Sequence, residues 1–208
     1  MWYLVFLAAI CSYLLGNLNG AIIASSLIAH DDVRSHGSGN AGLTNFIRNY
    51  GAKSAALVIL IDVGKGILAC FASGMLLAAY GFYEYGVALG ALFVILGHDF
   101  PVFLHFKGGK GILTGVTVAV MMDWRIGLFV FGIFLIAYFL THYVSLGSVL
   151  SSGSFGFIYA FFHWGNWFPI LVGMTLSGLI VWMHRANIVR LIKGEERKTN
   201  LFQKGKQS

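Results

Sequence analysis

The chain has 208 residues, of which 58% are apolar and only 11% charged, against about 25% charged in a typical soluble domain. With 27 glycines and a mean hydropathy of +0.78, it lacks the charged faces that the surface helices of a water-soluble globule need, so a soluble enzyme or binding module is excluded and a polytopic membrane protein is expected. The net charge of +6 does not point to nucleic acid, because no long basic run is present to follow a phosphate backbone.

Seven apolar runs follow one another, at residues 2–28, 54–80, 85–96, 112–122, 126–141, 146–162 and 168–183. The fold expected is all-α: a polytopic integral membrane protein of seven transmembrane helices, some short, forming a single membrane domain over 1–208 with 184–208 as a basic cytoplasmic tail. The first run has no Lys or Arg before it and reads as a permanent span, not a signal peptide. The fourth has eleven residues before Asp123, about half of a usual span of ~20, so five spans with two re-entrant segments is the alternative. Charge sets the orientation. With the N-terminus outside and the C-terminus cytoplasmic, twelve of the fourteen basic residues fall on the cytoplasmic side; Arg125 lies outside and Lys65 within the second span. Cys11 and Cys70 sit inside apolar runs, which leaves neither a disulfide framework nor a zinc ribbon.

Polar chemistry gathers in five segments. Residues 32–48 hold Gly37, Gly39 and Gly42, whose backbone can turn N–H groups toward one point, with Ser38, Asn40, Thr44 and Asn45 as short polar side chains and Arg34 and Arg48 as forked cations, the equipment of an anion cradle. A polar loop capping two helices is the plainer reading. Residues 97–111 carry His98 at a span end and then Lys107, Gly108, Gly109 and Lys110 before an expected helix start, where free N–H groups also favour an anion. This is not a Walker A loop, since Lys110 is followed by Gly111 and no strand precedes it. Asp62 and Lys65 stand inside an apolar run three apart, on one helical side, where a charge costs at least ~2.5 kcal/mol, so the pair is expected to face or support the polar site. Ser145 lies in the break between the fifth and sixth runs, and His184 and Asn187, three apart, share a face at the end of the seventh.

Together these motifs become recognisable. Arg-x-x-Gly-Ser-Gly-Asn-x-Gly-x-Thr-Asn-x-x-Arg, then Gly-His-x-Phe-Pro-Val-Phe-Leu-x-Phe-Lys-Gly-Gly-Lys-Gly, then Tyr-Val-Ser-Leu, then His-Arg-x-Asn-Ile-x-Arg-Leu-x-x-Gly-x-Glu run in order from about residue 29 to 198. This closely resembles the PlsY family of bacterial integral-membrane glycerol-3-phosphate acyltransferases. The resemblance implies a seven-helix fold in the bacterial cytoplasmic (inner) membrane with the active site on its cytoplasmic face. It implies transfer of a fatty acyl group from acyl phosphate to the sn-1 hydroxyl of glycerol 3-phosphate, giving lysophosphatidic acid and phosphate, the first step of phospholipid synthesis. Partners would be those two substrates, membrane lipids and the enzyme that makes acyl phosphate.

Carried over by position, Ser38, Thr44, Asn45, Arg48 and Lys110 would bind phosphate groups, Ser145, His184 and Asn187 would be further polar site positions, and Glu196 would support the structure. His98, Ser38, Arg48 and Lys110 are the expected catalytic group; Gly37, Gly39, Asn40, Lys107, Gly108 and Gly109 are expected to bind substrate from the same loops. His98 is the best side-chain candidate for a base near neutral pH, and a substrate phosphate oxygen is the alternative. No cofactor or metal is expected. None of the seven histidines has an Asp five positions on, so the motif of CoA-dependent acyltransferases is missing. The chain departs from the family at Asn17-Leu18-Asn19, where Ser-x-Pro is usual, and at His142, where Arg is usual. An ion-coupled transporter of a small phosphorylated solute and a noncatalytic lipid-binding module are the competing readings; the transporter expects polar residues on both faces.

Overall fold

The computed structural model describes residues 1–199; the end of the expected tail, 200–208, lies outside them. All regular structure described is helical: α1 (Trp2–Gly16), α2 (Gly20–Ala29), α3 (Leu43–Tyr50), α4 (Ala55–Ala78), α5 (Tyr83–Asp99), α6 (Ile112–Met122), α7 (Trp124–Thr141), α8 (Val144–Phe162), α9 (Trp167–Met183) and α10 (Arg185–Ile192), with 3-10 turns at Val33–Ser35 and Val102–Leu104. Five stretches are long and apolar enough to cross a bilayer: Trp2–Ala29, Ala55–Ala78, Tyr83–Leu104, Trp124–Thr141 and Val144–Phe162. A sixth arises if α9 and α10, bent by 57° at His184, count as one span. Every expected run is helical, but α6, with 11 residues, is shorter than a crossing.

Two boundaries differ from the sequence reading. The first run breaks at residues 17–19, where Asn19 accepts a hydrogen bond from Ile22 N at 3.1 Å and caps α2, while Asn17 Nδ2 donates to Tyr13 O at 2.7 Å. Two asparagines can satisfy the backbone groups freed by such a break, which apolar neighbours cannot. The helix of the third run, α5, continues through His98 and Asp99 instead of ending near 96, so both side chains are carried on a helix and not on a loop.

Helix α5 is the most enclosed of the long helices and α7 the least. Small residues explain how α5 sits so deep. A Cβ on Gly97 would collide with Tyr13 O, one on Gly16 with Val94 O, one on Gly86 with Ser73 O and one on Gly90 with Ala69 O, so α1, α4 and α5 meet backbone to backbone. Ser12 and Ser73 hydroxyls join α1 to α4 at 3.0 Å. Around this trio a core of Ala69, Val87, Ala91, Val94, Ile95, Val118, Val172 and Leu176 ties in α6 and α9. Phe46 and Val33 pack with Ala21, Ala24 and Val58 beneath the 33–42 loop. Large side chains such as Phe6, Leu60, Leu140 and Phe161 point outward, as a lipid-facing belt requires. Replacing Gly97 with Val should push α1 off α5 and cost about 1–3 kcal/mol; the melting temperature of the purified variant checks this, and an unchanged value would contradict the close approach.

Candidate active site

One cavity of about 420 Å³ opens at the end of the bundle where the 33–42 loop, the 107–111 loop and α10 converge. Its polar lining includes Ser38, Asn40, Thr44, Asn45 and Arg48 from the first loop and α3, Asp62 from α4, His98 from α5 and Lys110 before α6. Ser145, His184, Asn187, Arg190, Glu196 and Arg197 close the opposite side. The remaining wall is apolar: Leu43, Ile47, Ile112, Leu113, Val116, Phe131, Phe134 and Val144.

The first loop is held by its own residues. Asn45 Oδ1 accepts from Ser38 N at 3.0 Å, and its Nδ2 donates to Val33 O at 2.9 Å and His36 O at 3.1 Å, so much of this amide is spent on the loop. Gly37 and Gly39 have φ of 61° and 69° and do not line the cavity; each takes a turn that only glycine forms without strain. A Cβ at Gly37 would strike Asn45 Oδ1. Arg34, expected in the cradle, is turned away into a fork on Asp32 at 2.7–3.0 Å.

The second loop folds back over the end of α5. Gly108 N donates to Asp99 O at 3.3 Å and Gly109 N to His98 O at 3.1 Å. Neither glycine lines the cavity, and Lys107 is exposed outside it. Any side chain on Gly109 would collide with His98 Nε2, so these glycines let the loop lie against the imidazole. Lys110 alone of the loop's two lysines enters the cavity, where it donates to Asn187 Oδ1.

Asp62, Lys65 and His98 form one buried cluster. Lys65 Nζ lies 2.8 Å from Asp62 Oδ1, 2.7 Å from Leu18 O and 2.7 Å from His98 Nδ1, which matches the three donors of an ammonium with three acceptors. Asp62 Oδ1 also accepts from Gly20 N at 3.1 Å. Because an ammonium only donates, Nδ1 of His98 is the acceptor and the ring proton is assigned to Nε2. His184 is arranged the other way: its Nδ1 lies 2.8 Å from Ile180 O, a carbonyl that can only accept, so Nδ1 carries the proton and Nε2 keeps its lone pair. Burial pushes the His184 imidazole down to about 4, with Lys110 adding and the Ile180 bond and Glu196 opposing, so it stays neutral at physiological pH.

Glu196 organises the far wall. Its carboxylate accepts from Asn187 Nδ2 at 2.8 Å and Arg190 Nε at 2.7 Å. Burial works against its charge, but these donors outweigh burial and hold it below the usual carboxylate range. Lys110 is pushed down to about 8, chiefly by burial, with Arg190 and Arg185 adding and Glu196 opposing. Arg190 and Arg197, read from the sequence only as part of the basic tail, are cavity residues. His142 is not; it ends α7 with φ of 61°.

The fold and the cavity define a helical membrane protein built around one basic, half-apolar chamber. Comparison with known proteins identifies which. The sequence model of the family described as glycerol-3-phosphate acyltransferase matches residues 6–194. A glycerol-3-phosphate acyltransferase of Thermoanaerobacter sp. (strain X514) is 40% identical over 192 residues, 92% of this chain and 94% of that protein. One of Prochlorococcus marinus (strain MIT 9312) is 37% identical over 193 residues, 91% and 94%. The crystal structure of PlsY (YgiH), an integral membrane glycerol 3-phosphate acyltransferase in its glycerol 3-phosphate form, superposes with a TM-score of 0.85 at 32% identity, covering 96% of this chain and 99% of that one. Its lysophosphatidic acid form superposes with a TM-score of 0.81 at 30% identity, covering 95% and 96%. The chain belongs to the glycerol-3-phosphate acyltransferase family, and is an integral membrane acyltransferase.

Proposed function

We propose that the chain transfers a fatty acyl group from acyl phosphate to the sn-1 hydroxyl of glycerol 3-phosphate, releasing lysophosphatidic acid and inorganic phosphate. The observation that carries this reading is the double character of one cavity: Arg48, Lys110, Arg190 and Arg197 on its polar side suit two phosphate groups, and the wall from Ile112 to Phe134 and Val144 suits an acyl chain. The seven helical runs form one membrane domain, with α6 reaching only part of the way across, the N-terminus outside and the C-terminus in the cytoplasm, and the cavity opens on the cytoplasmic face of the bacterial inner membrane; the support is the placement of twelve of fourteen basic residues on that side. A partner enzyme supplies acyl phosphate there. Carriage of a phosphorylated solute, the rival reading, draws no comparable support from the opposite face, where Asp123 is tied to Arg125 and His163 and Glu84 to Asn166.

The hydroxyl oxygen attacks the acyl carbonyl carbon, the bond from that carbon to the bridging phosphate oxygen breaks, and phosphate leaves with the electron pair. A good leaving group removes the need for a protein nucleophile. The task is to hold two anions together and neutralise them, which falls to Ser38, Thr44, Arg48 and Lys110. His98, with its proton on Nε2, serves as a hydrogen-bond donor and not as the base; the hydroxyl proton passes to a phosphate oxygen and leaves on the product phosphate. His184 Nε2 accepts a hydrogen bond from a glycerol hydroxyl. Ser145 and Asn187 line the acceptor, and Glu196 keeps Asn187 and Arg190 in place.

Purified protein in a membrane mimic, given palmitoyl phosphate and glycerol 3-phosphate, should release one phosphate per lysophosphatidic acid; no product would overturn the reading. Lys110 acts only when charged. Its pKa near 8 means that charge is present below that value and lost above it, so kcat/KM should fall as pH rises through about 8. Lys110→Arg should move the fall beyond pH 10, since guanidinium stays charged there.

A further inference from the structure

Beyond α10 the backbone turns back across the cavity mouth. Gly194 reverses it with φ of 71°, and Glu195 N donates to Arg190 O at 2.8 Å. Two anchors then hold the segment. The first is Glu196, tied to Asn187 and Arg190. The second is Thr199, whose N donates to His142 O at 2.9 Å, whose carbonyl accepts from Tyr138 OH at 2.9 Å and whose hydroxyl accepts from Arg48. Arg197 and Lys198 lie between the anchors and part ways: Lys198 Nζ sits 5.6 Å from the Tyr143 ring centroid, whereas Arg197 lines the cavity.

Arg48 and Arg197 therefore face one chamber as like charges. Among the described residues no carboxylate lies within ion-pair distance of either, and half-burial of Arg48 together with Arg197 weakens the charged form of Arg48. Two guanidiniums held this way attract an anion that bridges them. Charge balance agrees. Besides Asp62, which Lys65 neutralises, the lining carries four cations and one carboxylate, while the phosphate group of each substrate, ester or acyl anhydride, brings about −1.5 to −2 at neutral pH. Without Arg197 the lining carries +2 against about −3 to −4 on the two phosphates, about one to two charges short.

We propose that Arg197, presented by the tied segment 195–199, forms with Arg48 a two-guanidinium clamp on the terminal phosphate group of one substrate. This rests on the acyl-transfer reading and adds a binding residue to it. Arg197→Gln should raise KM for one of the two phosphorylated substrates about 10- to 100-fold, the loss of one charge-assisted contact, with kcat changed less than threefold. Titrating each substrate separately shows which phosphate is clamped. Arg197→Lys should recover part of the loss, and Lys198→Gln should leave both KM values unchanged. Calorimetric binding of inorganic phosphate to the full-length protein should weaken about tenfold in Arg197→Gln, a readout independent of turnover. Both KM values within twofold of the parent together with unchanged phosphate binding would overturn the clamp, as would an equal effect from Lys198→Gln. Loss of turnover in the parent protein would instead strike at the acyl-transfer reading.

Discussion

Lys65→Met should destabilise the protein by about 3–5 kcal/mol, the cost of leaving a carboxylate buried without its partner. Asp62 is 2% exposed and Lys65 4%, and water cannot replace the ammonium there. The double variant Asp62→Asn, Lys65→Met should recover most of the stability, because removing both charges removes the desolvation cost as well as the attraction. Recovery should stop at the fold. With no ammonium opposite Nδ1, the His98 ring is free to carry its proton on either nitrogen, and turnover should remain about 10²-fold down, the scale of losing one oriented donor. Thermal melts and lysophosphatidic acid formation on the three proteins separate the two effects. A double variant as unstable as the single one would count against the ion pair as the source, and one with full activity against the orienting role of Lys65.

His98→Ala should lower kcat by about 10²–10³, and His98→Gln by only about tenfold, because Gln places an N–H close to the position of Nε2. A base at this position predicts something else: Gln cannot accept the proton, so both variants would be equally impaired, and an inflection near the histidine range would vanish from the pH profile. Comparing the two variants across pH 5 to 9 decides between donor and base. Equal losses would restore the base.

The sequence exposes the helices because apolar runs are its dominant pattern, and it marks the loops because nearly all cations sit in them. The i, i+3 spacing of Asp62 and Lys65 is likewise visible on a single helix. Their link to His98 is not, because it spans 33 positions and exists only where Gly86 and Gly90 let α5 approach α4. The break at Asn17–Asn19 was hidden for a similar reason: two polar residues in a long apolar run carry no periodic signal, and only the bonds to Ile22 N and Tyr13 O reveal them as caps. The loop glycines carry a packing constraint that the sequence does not show. Gly37, Gly39, Gly108 and Gly109 looked like an anion-binding backbone, but their positions are set by Asn45 and His98 pressing against them. Arg190 and Arg197 read only as part of a basic tail, since the charge pattern does not show that the backbone reverses after Gly194.

The shortness of α6 has a consequence for where the chemistry happens. Eleven residues at ~1.5 Å each cover about 16 Å, roughly half of a ~30 Å hydrocarbon layer. With its Met122 end at the outer surface, α6 would leave Lys110, at its start, below the level of the inner headgroups, next to Ile112, Leu113 and Val116. In that placement the polar reactant would descend to the depth of the acyl carbonyl, and the fatty chain need not be raised toward water. Bilayer thickness then becomes a kinetic variable, because a thicker membrane stretches the descent that the small, water-borne substrate must make.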